Sequence, residues 1–546
     1  MNRYLFFALV LAGIAFRLVM LFQYELVNGG DVDVYLADEG IVGLMGKHIM
    51  EGREVPVFFY GQHYLGALEA YCVALSFSIF GSSVFALRFV PLLFSVVLLP
   101  LIYTFVYRTY SVAAARWATA MVAVGPLYFL QWNLKARGGF VEYIVLIFAV
   151  FLLFWRFYLE HDRRPWLSFT LGLVAGIALW VNQLAAPYFM IMAVLLALRR
   201  DQLAGLRLLV VGLLLGSSLL LVYNVVHPAA TFRTLARKAV VLNRVPIEER
   251  DEGWISAGLA ERLQAVRHGA GKLGLVFGVP PSSDIERMGL SKEMRDGGAL
   301  TQARRGLWPI PLVVFGVALI ACRPRRGAAG WEPPGSNQLL VLMFLVTVVV
   351  GYVSSRYMLP AYPLAAVALG VLMARLRGRR RQLMAVGFAG VVLFNVVSWA
   401  DASRLLGTGA GARTRALSDA LVSRGLTRCY SAAPLYHVVF ESGEKLILAP
   451  LQKDRYPAYG DMVGDADEIC YVFRADQERK RQHVALMRFL GEQGVSHDRF
   501  EVGEYRVLHG FQPREVLTVD AIASIRRQET VHLDLGTVFD QGDSQE

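Results

Sequence analysis

Charge is scarce in this chain. Only 18% of its 546 residues are Asp, Glu, Lys or Arg, against 55% hydrophobic residues, too few to coat a soluble protein of that length. Cysteine is scarcer still. The four cysteines, Cys72, Cys322, Cys429 and Cys470, show no CxxC or metal-ligand spacing, which excludes a zinc ribbon and leaves buried small side chains as the usual reading. A Cys429–Cys470 pair stays open if that part of the chain lies outside the cytoplasm. No internal repeat is present, which argues against an inverted-repeat transporter. The first apolar run is preceded by one basic residue, Arg3, and lacks a small-residue cleavage pattern, so it reads as an uncleaved signal anchor. The net charge of +11 sits in short Arg clusters between apolar runs, where it acts as a topology signal; no nucleic-acid partner is expected.

What the sequence does have is apolar runs near the ~20 residues that cross a bilayer. They fall at 4–24, 84–107, 112–132, 140–159, 166–181, 184–198, 206–226, 307–323, 337–353, 357–376 and 383–400, about eleven crossings. The segment 65–81 is short and carries Glu69. Leaving it out places Arg108 and Arg116, Arg163 and Arg164, Arg199 and Arg200, the 323–326 cluster and the "RLRGRRR" run at 375–381 on one side, the cytoplasm. Segment 65–81 is therefore expected to lie in the outer interface. The expected protein is mainly α, polytopic in the inner or plasma membrane, with its N-terminus cytoplasmic. Residues 1–400 form the membrane domain, with outer loops at 25–82 and 227–306. Residues 401–525 form a small extracytoplasmic α/β domain with strand-like "TRCYSA", "HVVF", "KLILAP" and "EICYVF", and 526–546 read as a mobile tail. In 227–306, apolar and basic residues alternate as in helices lying on an anionic bilayer surface.

The outer face receives the unusual chemistry. In "DVDVYLADEGIVG", Asp31 to Gly43, four carboxylates (Asp31, Asp33, Asp38, Glu39) fall within nine residues just beyond the first span. Ile41, Leu44, Met45, His48 and Ile49 then follow a helical period, with Gly40, Gly43 and Gly46 at every third position. This predicts an amphipathic helix able to pack closely. Asp38 at its N-cap and Glu39 in its first turn are, on the helix alone, accounted for first by capping and dipole compensation and only second by chemistry.

A span, an outer loop whose Asp-Glu pair heads a helix ending at "MEG", and many further crossings together resemble the GT-C glycosyltransferases that use polyprenyl-phosphate sugars. That group includes the protein O-mannosyltransferases and the lipid A aminoarabinose transferases. The stretch "ADEGIVGLMGKHIMEGREVPVFFYGQHYLGALEAY" is also similar to a bacterial subgroup of this family. The resemblance covers roughly residues 1–400 and is strongest over 31–90. In the family the Asp of the pair is catalytic, which implies a general base at Asp38 with Glu39 supporting it. An attacking hydroxyl must lose its proton, and a carboxylate in reach supplies roughly 10²- to 10⁴-fold. The departing lipid phosphate needs cations, for which Lys135 and Arg137 in "LKARGG" and Arg356 in "SSRYMLPAYP" are the candidates. Gly138 and Gly139 either let a backbone approach that phosphate or merely turn the chain. Tyr357 lies in an Arg-Tyr-x-x-Pro-x-Tyr-Pro arrangement similar to one common in these transferases.

Two departures from the family's pattern stand out. Ile41 occupies a position where an Arg is frequent, and the later Lys-Pro is replaced by the run Tyr60, Gly61, Gln62, His63, Tyr64. Gln62, His63 and Tyr64 are therefore candidates for phosphate or sugar contacts, with interfacial packing the alternative. Glu69 and Glu142 read as active-site walls or snorkelling side chains. Asp31, Asp33 and Asp38 carry the oxygens to ligate a divalent cation, but the resemblance is to members without a catalytic metal, and no metal or other cofactor is expected. The expected partners are a polyprenyl-phosphate sugar, a lipid, glycan or protein acceptor, and the bilayer. The rival reading is a lipid-linked saccharide transporter or flippase, which would place charge inside the spans; apart from Arg17, Arg88 and Arg156 near span ends or faces, the ionisable residues fall in loops.

Overall fold

The computed structural model describes residues 1–22, 36–162, 164–198, 206–235, 335–351, 355–405, 409–451, 454–474 and 481–518, with a few single residues besides. The expected span 307–323, the basic clusters at 199–200 and 323–326, most of the loop 227–306, the loop acids Asp31 and Asp33 and the tail 526–546 lie outside these residues.

The chain is a multi-pass membrane protein built mainly from helices. Five described helices are long and apolar enough to cross a bilayer: Arg3–Leu21 (α1), Val84–Thr109, Phe140–Tyr158, Arg356–Arg375 and Gly378–Val397. Between them run Leu36–Met50 (α2), Leu68–Phe80 (α3), Val84–Thr109 (α4), Val112–Ala123 (α5), Leu127–Trp132 (α6), Phe140–Tyr158 (α7), Pro165–Val181 (α8), Ala186–Ala197 (α9), Leu206–Gly216 (α10), Ser218–Val226 (α11), Ser336–Gly351 (α12), Ala361–Arg375 (α13) and Gly378–Leu405 (α14). α10 and α11 meet at a 59° bend, so the run expected as one straight span, 206–226, is broken. Serine caps start two of the helices, Ser83 accepting from the Ala86 N–H and Ser111 from the Ala114 N–H, each at 3.2 Å.

The run 112–132 is likewise not one span. Gly125 and Pro126 interrupt it, and Pro126 is extended at ψ 151°. Ending a helix at that depth frees carbonyls that lipid cannot satisfy. Four consecutive carbonyls are met by side chains from three other helices: Met121 by the Tyr362 hydroxyl (2.8 Å), Val122 and Ala123 by the Arg17 guanidinium (3.0 and 2.5 Å), and Val124 by Asn395 (3.0 Å). Arg17 also donates to Ser95 Oγ at 2.7 Å. It is fully buried, not at a span end, and its charge faces the negative C-terminal pole of α5.

After α14 come Gly409–Ser423 (α15), β3 (Arg428–Ser431), α16 (Tyr436–Glu441), β4 (Ile447–Pro450), α17 (Ala458–Gly464), β5 (Cys470–Arg474), α18 (Arg481–Glu492), β6 (Ser496–Val502) and β7 (Tyr505–Gln512). A two-stranded hairpin, β1 (Phe58–Phe59) and β2 (Gln62–Gly66), precedes α3. The C-terminal sheet has the order β4-β3-β5-β7-β6, parallel across its first three strands and antiparallel beyond. Cys429 and Cys470 are register partners with Cα atoms 4.3 Å apart and form a disulfide. The strand-like "HVVF" is helical instead: it forms most of α16, whose Val438, Val439 and Phe440 are buried against the rest of that domain and α2. Burial overrides the β-propensity of its valines.

That docking explains the glycine spacing of α2. A Cβ on Gly40 would lie 2.3 Å from the His437 nitrogen, one on Gly43 2.7 Å from the Phe440 ring, and one on Gly46 2.5 Å from Val73 Cγ1 of α3. One apolar core runs from α2 and α3 into the C-terminal sheet, including Ile41, Leu44, Val73, Tyr436 and Tyr471. Helices α2 and α3 therefore belong to the core of the C-terminal domain as well as packing on α4 of the helical bundle.

Candidate active site

Because α2 begins at Leu36, Asp38 and Glu39 both lie inside its first turn, and Asp38 is not the N-cap. Neighbours on a helix point about 100° apart, and here the two carboxylates enter different surroundings. Glu39 is 3% exposed and forms a two-pronged ion pair with Arg88 of α4, Nε to Oε1 at 3.2 Å and Nη2 to Oε2 at 2.9 Å. The Ala136 N–H donates to the same carboxylate at 3.3 Å. Burial pushes this carboxyl up, but Arg88, with Arg137 and Lys135 behind it, more than offsets that and holds it below the ordinary range. Arg88, near the start of the span α4, is thus the buried partner of Glu39.

Asp38 is half-buried, and its carboxylate forms no hydrogen bond or ion pair with any described residue. Its neighbours are defined by charge. Burial pushes the Tyr64 hydroxyl up, and that hydroxyl lies within the fields of Arg455, Tyr357, Arg356 and Asp38. Arg356 sits over the rings of Phe140 and Tyr357, 5.8 and 5.2 Å from their centroids, and makes no salt bridge with a described residue. A carboxylate without a hydrogen bond or salt bridge and a guanidinium without a salt bridge, bonded to Tyr357 and within the field of Asp38, thus share one recess with Tyr64. Gln62 joins them from the same face of β2, two residues before Tyr64. With the oxygen of its carboxamide on the guanidinium side, it accepts from Arg455 Nη2 at 2.6 Å and from Nη1, and its nitrogen donates to the Tyr64 hydroxyl.

His63, on the opposite face of β2, points elsewhere. Its Nδ1 pairs with the Tyr223 hydroxyl at 2.8 Å, and its carbonyl accepts from Thr231 at 2.6 Å. Burial and then His227 lower its pKa. It joins the hairpin to α11 rather than lining the recess.

The segment Asn133 to Gly139 carries Lys135 and Arg137, both buried, at 7% and 4% exposure. They lie 5.4 and 5.3 Å from the Trp132 ring centroid and act on Glu39. Gly138 and Gly139 both have positive φ, +80° and +81°, a conformation that favours glycine. Their N–H groups are taken by the Glu69 carboxylate, at 2.6 and 2.8 Å, rather than left for a phosphate. Glu69 and Glu142 are buried, at 1% and 0% exposure, so neither snorkels. Burial, and next the charge of Glu142, push the Glu69 carboxyl well above its ordinary range. Glu69 fixes the path of the basic segment from behind.

A second polar cluster, with no local signal in the sequence, ties α2 to the C-terminal domain. Glu444 accepts from Lys47 (2.5 Å), Arg53 Nη2 (2.5 Å) and the Tyr459 hydroxyl (2.9 Å) and contacts His48 Nε2 at 3.0 Å. Burial raises its pKa, but these partners outweigh it and hold the carboxyl far below the usual range. Nearby, Tyr60 and Tyr456 stack at 4.8 Å and both donate to Glu54, at 2.5 Å. Among the described residues, no group of three or more His, Cys, Asp or Glu side chains is placed to hold a metal ion.

The fold of the whole chain has solved counterparts. ArnT from Cupriavidus metallidurans, in the apo state, superposes with a TM-score of 0.56 at 12% identity, over 92% of this chain and 97% of that one. The same protein bound to undecaprenyl phosphate gives 0.54 at 13% identity, over 93% and 98%. The apo Archaeoglobus fulgidus oligosaccharyltransferase gives 0.51 at 13% identity, over 89% of this chain and 71% of that one. The chain therefore shares the overall fold of these solved proteins. No family model and no curated protein matches the sequence.

Proposed function

We propose that the protein is a membrane glycosyltransferase that moves a sugar from a polyprenyl-phosphate donor to an acceptor outside the cytoplasm, with Asp38 as general base. One observation carries this reading: of two adjacent carboxylates, Glu39 is neutralised by Arg88, while Asp38 is left without a partner in a recess shared with Arg356. A helix cap would not need that recess. The solved ArnT complex with undecaprenyl phosphate supports a lipid phosphate as the leaving group.

In this mechanism an acceptor hydroxyl gives its proton to Asp38 as its oxygen attacks the anomeric carbon. The bond from that carbon to the phosphate oxygen breaks, and its electron pair leaves with the lipid phosphate, inverting the configuration. Arg356, at the head of a membrane helix, is placed for the charge that develops on that phosphate. Lys135 and Arg137 act at one remove, as a positive field behind Glu39. Orientation follows the basic clusters: N-terminus cytoplasmic, with the Asp38 recess and the C-terminal domain outside the inner or plasma membrane. The transporter reading needs mobile charge within the spans. Arg17 and Arg88, the buried cations there, are instead held by backbone carbonyls and by Glu39.

The test is transfer of labelled sugar from polyprenyl-phosphate donors to endogenous acceptors in membranes carrying the wild type or Asp38→Asn. The expected loss is roughly 10²- to 10⁴-fold with the solubilised variant still monodisperse. Unchanged transfer would remove Asp38 from the chemistry.

A further inference from the structure

Among the described residues, many buried and half-buried cations are held by a carboxylate or by backbone carbonyls. Arg88 has Glu39, Lys47 and Arg53 have Glu444, and Arg17 and Arg514 have backbone carbonyls. Two near Asp38 are not. Arg356 is assigned above to the leaving phosphate. The other, Arg455, comes from the C-terminal domain and has no role in that scheme.

Arg455 is held in place by an unusually complete set of contacts. Its N–H donates to the Tyr436 hydroxyl at 2.6 Å, and that hydroxyl donates to Asp454 Oδ1 at 3.0 Å, which also accepts from the Tyr456 N–H at 3.1 Å. Tyr456 in turn is stacked on Tyr60 and bonded to Glu54. The side chain crosses the Gly61 turn, where φ is +65° and a Cβ would come within 3.0 Å of Arg455 Cδ. It ends on Gln62, beside Tyr64. Gln62 is a neutral amide: it takes two of the five guanidinium donors and none of the charge. Among the described residues Arg455 forms no salt bridge. A rigidly placed, half-buried guanidinium facing only an amide is built to receive an anion.

Its origin decides which anion. Arg356 heads a helix long and apolar enough to span a membrane, whereas Arg455 reaches the recess from the C-terminal domain. We propose that Arg455 binds an anionic group, phosphate or carboxylate, on the acceptor, so that this protein glycosylates a negatively charged acceptor whose hydroxyl is thereby set against Asp38. The inference rests on the transferase reading and names its acceptor class.

The experiment measures labelled-sugar transfer in membranes carrying the wild type, Arg455→Gln or Arg455→Lys, with added inorganic phosphate, acetate or chloride at equal ionic strength. Arg455→Gln transfers about ten- to a hundredfold more slowly at limiting acceptor, and Arg455→Lys is intermediate. Phosphate alone inhibiting the wild type beyond chloride marks a phosphate-bearing acceptor, and acetate doing so marks a carboxylate; Arg455→Gln loses that sensitivity. Purified Arg455→Gln binds undecaprenyl phosphate as the wild type does and unfolds at the same temperature. Transfer by Arg455→Gln at the wild-type rate, or loss of its undecaprenyl phosphate binding, overturns the proposal. Failure of the underlying reading is separate, since it shows as wild-type transfer by Asp38→Asn.

Discussion

Two sides of one helical turn carry opposite electrostatic designs. On the Glu39 side a carboxylate is buried and matched by a two-pronged arginine, a backbone N–H and two further cations. On the Asp38 side a carboxylate, Arg356 and Arg455 share a recess, and none of the three has an ionic partner among the described residues. Acid and base therefore meet on both sides, but only one side has neutralised itself. A paired charge holds helices together, and an unpaired one is available to a ligand. On the proposed function the adjacent residues Asp38 and Glu39 divide chemistry from architecture, and each of the following measurements presses on that division.

The largest expected effect after Asp38 itself is at Arg356. Arg356→Gln should lower kcat by about 10²- to 10³-fold, the usual scale for removing one stabilising donor, with little change in thermal stability. A large drop in stability with normal turnover would move Arg356 to the structural side. Next is the ion pair. Arg88→Met strands the buried Glu39 charge and should cost about 3–5 kcal/mol of stability, read as a lower unfolding temperature in detergent. The double variant Arg88→Met with Glu39→Leu should recover much of it, since an apolar pair of similar volume carries no desolvation penalty.

A smaller effect is expected at the interdomain contact. The folded pKa of Glu444 is depressed, so its stabilising contribution is fully present above the unfolded value of about 4.3 and fades as pH falls toward the folded value. Glu444→Gln should therefore unfold a few degrees below the wild type at pH 7, and the two curves should converge below about pH 4. Divergence on acidification would contradict the ion-pair account. The smallest effect is at His63, whose contacts run to Tyr223 and Thr231; His63→Gln should change transfer less than about threefold, within the range of a packing substitution away from the chemistry.

How legible this was in the sequence depended on range. The glycines of α2, the Asp-Glu pair at its head and the shortness of segment 65–81 are local signals, and they reappear as a packed helix, a first-turn pair and a 13-residue helix too short to span. The alternation of β2 was equally present: Gln62 and Tyr64 share a face that His63 does not, but only once the segment is known to be extended. The partners of these residues were not legible. Arg88 lies 49 positions from Glu39 and Glu444 lies 397 from Lys47, and no local period records such pairs. The same limit explains why the sequence does not link Lys135 and Arg137 to Glu39, whose carboxyl their charge helps to hold down. It also explains "HVVF", whose β-branched residues form a short helix because α2 requires one there.

The central claim is tested most directly by comparing Asp38→Asn and Glu39→Gln as purified proteins, measuring transfer per folded molecule and unfolding temperature for each. The account predicts a crossed result: Asp38→Asn keeps the wild-type unfolding temperature and loses at least about a hundredfold in transfer, while Glu39→Gln unfolds several degrees lower and its folded fraction retains most of its turnover. The reverse, with Glu39→Gln inactive but stable and Asp38→Asn active, would contradict it.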